Sequence, residues 1–128
     1  EIVSHNIETV RRLTREVRVQ AKYERSMQVL KYLKDNGMKT KSGLMLGMGE
    51  TDEEIRETLA DLREVGVGII TMGQYLQPTA RHLKVDRYVT PDEFARYKDW
   101  AVAMGYEYVE SGPLVRSSYH AEQHLKKD

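Results

Sequence analysis

Near the start of the chain Asn6 and Glu8 alternate along one extended stretch, which puts both side chains on one side. An amide beside a carboxylate suits the two hydroxyls of a ribose. Standing just ahead of Thr9-Val10-Arg11-Arg12, the same two residues equally suit the cap of a following helix. Gly47-Met48-Gly49-Glu50-Thr51-Asp52 opens like a dinucleotide-binding loop, but Asp52 stands where the third glycine belongs and no basic residue follows as a phosphate loop needs. Neither nucleotide reading holds. His120 and His124 have the spacing of a metal-ligating pair on one helical face, yet no third ligand is near and the segment reads as a polar tail. The 128 residues contain no cysteine, so the chain itself offers no disulfide, no thiolate zinc site and no thiolate iron–sulfur site. Trp100 and the tyrosines invite a stacking surface, but their spacing within helical stretches fits core packing better.

The elements that must position these residues repeat a rhythm: an apolar β-branched run, a turn, an amphipathic helical pattern, a closing glycine. Residues 22–36 put Tyr23, Met27, Leu30 and Leu33 on one helical face, closed by Gly37. A strand over 38–46 ends in the Gly47–Glu50 turn. Thr51 and Glu54 make a capping box ahead of Ile55, Leu59 and Leu62, so a helix runs from about 51 to Gly66. The next strand is read over 67–76, followed by an irregular stretch over 77–89. A second capping box, Thr90-Pro91-Asp92-Glu93, starts a helix lined by Phe94, Tyr97, Ala101 and Met104; Gly105 closes it ahead of a short strand over 106–109. Strands alternating with helices of this length predict an α/β protein with a parallel sheet. Ligands in such folds sit at the carboxyl ends of the strands. Four loops meet there: His5–Thr9, Gly47–Glu50, Gln74–Pro78 and Gly112–Tyr119.

Twenty basic residues balance twenty acidic ones, so bulk electrostatics gives no reason to bind a polyanion, and a nucleic-acid partner is not expected. The residues are 40% hydrophobic and 31% charged, ordinary for a globular chain and unlike a disordered one. No apolar run reaches the roughly 18 residues of a membrane span, and the first residues have no signal-peptide pattern; a cytoplasmic location is expected. The sequence opens inside its first strand, and three or four parallel strands cannot close a barrel. It reads as the second half of something larger.

Four stretches carry a specific resemblance: His5-Asn6-Ile7-Glu8-Thr9-Val10, Lys41-Ser42-Gly43-Leu44-Met45-Leu46-Gly47-Met48-Gly49-Glu50-Thr51, Gly73-Gln74-Tyr75-Leu76-Gln77-Pro78, and Ser111-Gly112-Pro113-Leu114-Val115-Arg116-Ser117-Ser118-Tyr119. In this order they resemble the lipoyl synthase family, over essentially the whole chain. The resemblance implies the carboxy-terminal part of a partial parallel (β/α) barrel of the radical S-adenosylmethionine type. Residues 1–110 would supply its βα units and 111–128 the tail, with the cysteine-bearing amino-terminal half absent.

The implied chemistry inserts two sulfur atoms, at C6 and C8, into an octanoyl chain on a carrier lysine. Unactivated C–H bonds need a radical, which the family generates from S-adenosylmethionine at one 4Fe-4S cluster; a second, auxiliary 4Fe-4S cluster supplies the sulfur. The cysteine ligands of both would lie outside this chain, so the isolated stretch is expected to be inactive. Implied partners are octanoylated lipoyl carrier domains, or the carrier protein of glycine cleavage, and an electron donor of flavodoxin or ferredoxin type.

The resemblance also implies roles. Ser118 matches the family's non-cysteine ligand to the auxiliary cluster, a hard oxygen donor that is released as sulfur is consumed; locally, it or Ser117 equally reads as a helix cap. Arg116 would orient that serine or offset cluster charge, or else form a surface ion pair. Asn6 and Glu8 fall where the related biotin synthases contact the ribose. Arg25 matches the arginine that pairs with the methionyl carboxylate, against the plain alternative of an exposed helix charge. Ser42 and the backbone of Met45 lie where the family presents its barrel interior to the adenine, against simple strand packing. Gln74, Tyr75 and Pro78 would shape the wall shared by cofactor and substrate. The chain departs from the family at Arg11 and Val19-Gln20, where prolines are common. Two alternatives stay open: a biotin-synthase-like enzyme, disfavoured by Lys41 where that family has a cluster cysteine, and a non-catalytic α/β binding module.

Overall fold

The computed structural model describes residues 2–14 and 23–115. It is an α/β unit with strands β1 (Ile2–Ser4), β2 (Lys39–Leu46), β3 (Ile69–Gln74) and β4 (Tyr108–Ser111), and helices α1 (Tyr23–Asp35), α2 (Asp52–Glu64) and α3 (Pro91–Ala103). All three pairings are parallel, and the order across the sheet is the order along the chain. The predicted alternation of strand and helix is therefore present in full.

The helix starts follow from the two capping boxes. Thr51 Oγ1 accepts from the Glu54 amide while the Glu54 carboxylate accepts from the Thr51 amide, and Thr90 with Glu93 repeats the arrangement with Pro91 at the first helical position. Each box pairs orphan amides that would otherwise need water. Below the caps, Ile55, Leu59 and Leu62 of α2, Leu30 of α1, and Phe94, Tyr97 and Ala101 of α3 form one core with Leu44, Leu46, Ile70, Met72 and Val109 of the sheet. Leu59 is completely buried, so Leu59→Ala removes about 2–5 kcal/mol. Tyr97, flanked by Phe94 and Trp100 at ring-centroid distances of 6.4 and 5.2 Å, is core, while Trp100 packs at its edge under Arg56.

Both short strands begin later than the sequence pattern suggests, for one reason. The Val67 amide still closes α2 by donating to Leu62 O, and the Tyr106 amide closes α3 by donating to Ala101 O. Only after these residues has the chain crossed from the helix layer to the sheet. Tyr106 stays in the helix layer, its hydroxyl donating to Leu59 O at 2.6 Å. Pairing of the last strand begins when the Glu107 and Tyr108 amides both donate to Gly68 O, and β4 continues through Ser111, whose hydroxyl donates to Phe94 O.

On the face turned away from the helices, the register aligns Lys41 with Ile69 and Tyr108, Gly43 with Thr71 and Glu110, and Met45 with Gly73. Lys41 is fully buried there. Burial pushes its amine below the usual lysine range, and the charge of Glu110 acts against that. No helix among the described residues is long and apolar enough to cross a membrane.

Candidate functional site

The carboxyl ends of the four strands are where the sequence places a site, and each loop there has a distinct construction. After β1 the chain continues along β2 instead of leaving it. The His5 amide donates to Lys41 O and the Glu8 amide to Gly43 O, both at 2.9 Å, and the Met45 amide donates to Glu8 O. Three residues on this side span two on β2, so the segment carries a bulge, a device that re-aims side chains beside functional sites. The spare amide, that of Ile7, donates to Ser42 Oγ at 2.9 Å. Glu8 lies opposite Leu44 with φ 73, the sole non-glycine residue in the left-handed region among the described residues. Ile7 enters the core beside Tyr23, and His5 Nε2 is hydrogen-bonded to Ser26 Oγ of α1 at 3.1 Å. Asn6 and Glu8 alternate with those two helix-facing residues. The amide oxygen of Asn6 is buried, and burial raises the Glu8 carboxyl above its ordinary range.

The loop after β2 looks like a phosphate loop and is already filled. Glu50, 7% exposed, folds back so that Oε2 accepts from the Gly47 amide at 2.8 Å and Oε1 from the Met48 amide at 3.1 Å. Successive amides converging on an anion are what a nest offers a phosphate. Here the anion is the chain's own carboxylate, which explains in structural terms why the glycine-rich run is no nucleotide motif.

Gly47 is also where the long loop after β3 is fastened. The Asp86 amide donates to Gly47 O at 2.8 Å. A Cβ on Gly47 would lie 2.5 Å from both Arg87 O and Gln74 Nε2, and its φ is 99, so no other residue fits. Gln74 spends its whole amide on this loop: Nε2 donates to Tyr75 O and Arg87 O, and Oε1 accepts from the Val89 amide. Tyr75 donates its hydroxyl to Leu83 O at 2.6 Å. Its ring packs with Val10, Leu13 and Met48, against Met45, Leu83 and Val85, as a small apolar cluster apart from the main core.

Two arginines tie the loops to the helix caps. Arg12 Nε donates to Glu54 Oε2 at 2.7 Å, and its Nη2 reaches Glu54 Oε1 and Gly49 O. Arg87 Nη1 donates to Glu93 Oε1 at 2.8 Å. Each capping-box glutamate thus serves a helix amide and a loop arginine together, and these bonds hold both carboxyls down at about 2.

After β4 the chain turns back over β3. The Gly112 amide donates to Met72 O and the Val115 amide to Gly112 O, which brings Val115 O to 2.2 Å from where a Cβ on Gly73 would stand. Only a bare α-carbon permits that crossing.

Among the residues expected at the site, Asn6, Glu8, Ser42 and Met45 come together around the bulge. Met45 meets it through the Glu8 carbonyl, and Ser42 through the Ile7 amide from the helix-facing side of β2, in line with Ile70 and Val109, not from the barrel interior where the resemblance puts it. Arg25 is exposed in the first turn of α1, one residue before the Ser26 that holds His5. Arg116, Ser117 and Ser118, with His120 and His124, lie outside the described residues. Sequence reasoning missed the His5–Ser26 bond, the Arg12 and Arg87 ties and the inward carboxylate of Glu50. The last had a signal: an acid placed directly after Gly-Met-Gly.

Residues 1–62 match the model of the radical SAM superfamily. The chain is 60% identical over 126 residues to a lipoyl synthase of Flavobacterium johnsoniae, covering 98% of this chain and 44% of the relative. It is 59% identical over 126 residues to a mitochondrial lipoyl synthase of Nematostella vectensis, covering 98% of this chain and 43% of the relative. With a lipoyl synthase of Rubrobacter xylanophilus the identity is 62% over 122 residues, covering 94% and 38%. The chain therefore spans under half the length of these curated relatives.

Proposed function

The chain belongs to the lipoyl synthase family of the radical SAM superfamily, and on that premise we propose that the protein carrying it inserts sulfur at C6 and C8 of a protein-bound octanoyl-lysine. The observation that carries this reading is the 60% identity over 98% of the chain, a span that includes all four carboxyl-end loops. The relatives named above are lipoyl synthases and none is a biotin synthase, which favours the first of the two radical chemistries.

The residues fit S-adenosylmethionine. Glu8 is a carboxylate raised by burial, the state in which two donated hydroxyl hydrogens gain most, and a ribose diol supplies them. Asn6 adds an amide beside it, and Arg25 presents an exposed guanidinium fork for the methionyl carboxylate. When bound, the cofactor supplies the radical that removes hydrogen from an unactivated carbon. The chain's own residues orient it: Asn6 and Glu8 through the ribose, Arg25 through the amino-acid end, and the Tyr75 cluster by keeping water from the carboxyl ends of β2 and β3.

This chain does not fit an iron–sulfur cluster by itself. It has no cysteine, and no group of three His, Cys, Asp or Glu among the described residues is placed to hold a metal. Thiolates from outside the chain would have to ligate both 4Fe-4S clusters, with Ser118 as the one ligand contributed here. Octanoylated lipoyl domains or the glycine-cleavage carrier are the proposed substrates, a flavodoxin or ferredoxin the reductant, and the cytoplasm the location.

The test is turnover of an octanoyl-lysine peptide by the anaerobically reconstituted full-length protein. A product heavier by two sulfurs is expected, and Glu8→Gln is expected to raise KM for S-adenosylmethionine. Deoxyadenosine formed without any sulfur-bearing peptide, on peptide and carrier domain alike, overturns the proposal.

A further inference from the structure

We infer that Ser42 is the positioning residue of the ribose site: its hydroxyl takes the spare amide of the bulge at Ile7 and so fixes Asn6 and Glu8 where a ribose meets them. The inference rests on the reading of Asn6 and Glu8 as the ribose contacts.

The ladder between the post-β1 segment and β2 is regular up to the His5–Lys41 bond and regular again from the Glu8–Gly43 bond. One residue too many lies between. Such an insertion leaves an amide with no partner in the ladder, and this amide is buried, because Ile7 is 2% exposed. A buried orphan amide is costly, so a bulge persists only where something accepts from it. Ser42 does so at 2.9 Å, is itself fully buried, and lies on the strand position between the two ladder bonds.

The geometry held in this way is an unusual one. Glu8, with φ 73, is clamped on both sides, its amide on Gly43 O and its carbonyl on the Met45 amide. A non-glycine residue stays in the left-handed region only where its surroundings over-determine it. Without the Ser42 hydroxyl, the segment can pair the Ile7 amide by sliding one residue along β2. That pairing takes Gly43 O away from the Glu8 amide, so the bulge is lost and Glu8 leaves both its left-handed conformation and its place opposite Leu44. Ser42 thus acts on the cofactor through Glu8 and needs no contact of its own.

A double-mutant cycle on the reconstituted full-length protein separates these roles, with S-adenosylmethionine affinity measured by calorimetry for Ser42→Ala, Glu8→Gln and the pair. Each single change is expected to weaken binding by roughly tenfold, ~1.4 kcal/mol. The pair is expected to be little weaker than Glu8→Gln alone, and amide exchange at Ile7 in Ser42→Ala should speed up by a similar factor. Additive losses, or an Ile7 amide as protected as in the parent, overturn the inference. If Glu8→Gln and Asn6→Ala both leave affinity unchanged, the ribose reading itself has failed, and that outcome is distinct from additivity. Should Ser42→Ala not fold, Ser42→Cys, which keeps the volume with a weaker acceptor, takes its place with the same expectations.

Discussion

Removing the Glu50 carboxylate should turn a filled turn into an anion site. Its two oxygens accept from the Gly47 and Met48 amides at 2.8 and 3.1 Å in a buried setting. A hydrogen bond to a charged acceptor contributes about 1.5–3 kcal/mol, and a buried donor left without one loses about 1–3 kcal/mol. Glu50→Ala strands both amides, so local stability should fall by about 3 kcal/mol, equivalent to roughly 100-fold faster exchange. Glu50→Gln keeps one oxygen but sets an NH2 group against the other amide, and about half that loss is expected. The assay is hydrogen exchange of the turn in the full-length protein, read by mass spectrometry, with and without inorganic phosphate. Phosphate should restore protection in Glu50→Ala and leave the parent unaffected. Exchange at Gly47 and Met48 unchanged in Glu50→Ala would refute the reasoning, as would protection that phosphate does not restore.

Acid should weaken the two loop ties in a defined window. Glu54 and Glu93 are held at about 2 against an ordinary 4.5, so their contribution is complete above about pH 4.5 and is lost as pH falls through about 2. Both arginine partners are partly exposed, so each tie is worth on the order of 1 kcal/mol. Urea midpoints measured between pH 5 and 2.5 should fall, and Arg12→Ala with Arg87→Ala should flatten that fall; equal slopes in parent and variant would count against it. Burial of Glu8 acts in the opposite sense, disfavouring the folded state as that carboxyl ionises. Gly73→Ala places a methyl 2.2 Å from Val115 O, so the turn over 112–115 must lift by about 1 Å, at a loss of about 1–3 kcal/mol. Faster exchange at the Gly112 and Val115 amides would show it, and an unchanged melting temperature with unchanged exchange would exclude it.

Much of this architecture is written locally. Thr51 with Glu54 and Thr90 with Glu93 announce helix starts within four residues, and the apolar faces of α1, α2 and α3 follow from 3.6-residue spacing alone. Strand starts were less visible, because Val67 and Tyr106 carry strand-like side chains while their amides still serve the preceding helices. The site divides along the same line. Asn6 and Glu8 could be picked out by residue type and alternation. That the Ile7 amide between them would need Ser42, 35 positions away, depends on a register that no local pattern encodes. Nor does any local pattern show the setting of Lys41, fully buried on the sheet face turned away from the helices, where the charge of Glu110 acts on it.

The agreement between order in the sheet and order in the chain bears on how the molecule is made. Successive strands begin about thirty to forty residues apart, and each pairs with the strand synthesised just before it. At about 5–20 residues per second, a ribosome delivers one such unit every few seconds. That is far longer than the microseconds to milliseconds in which helices form and small units collapse. The sheet can therefore grow by accretion during translation, with no strand held waiting for a distant partner. At every intermediate length a single growing edge is presented, and the next strand to emerge is the one that covers it.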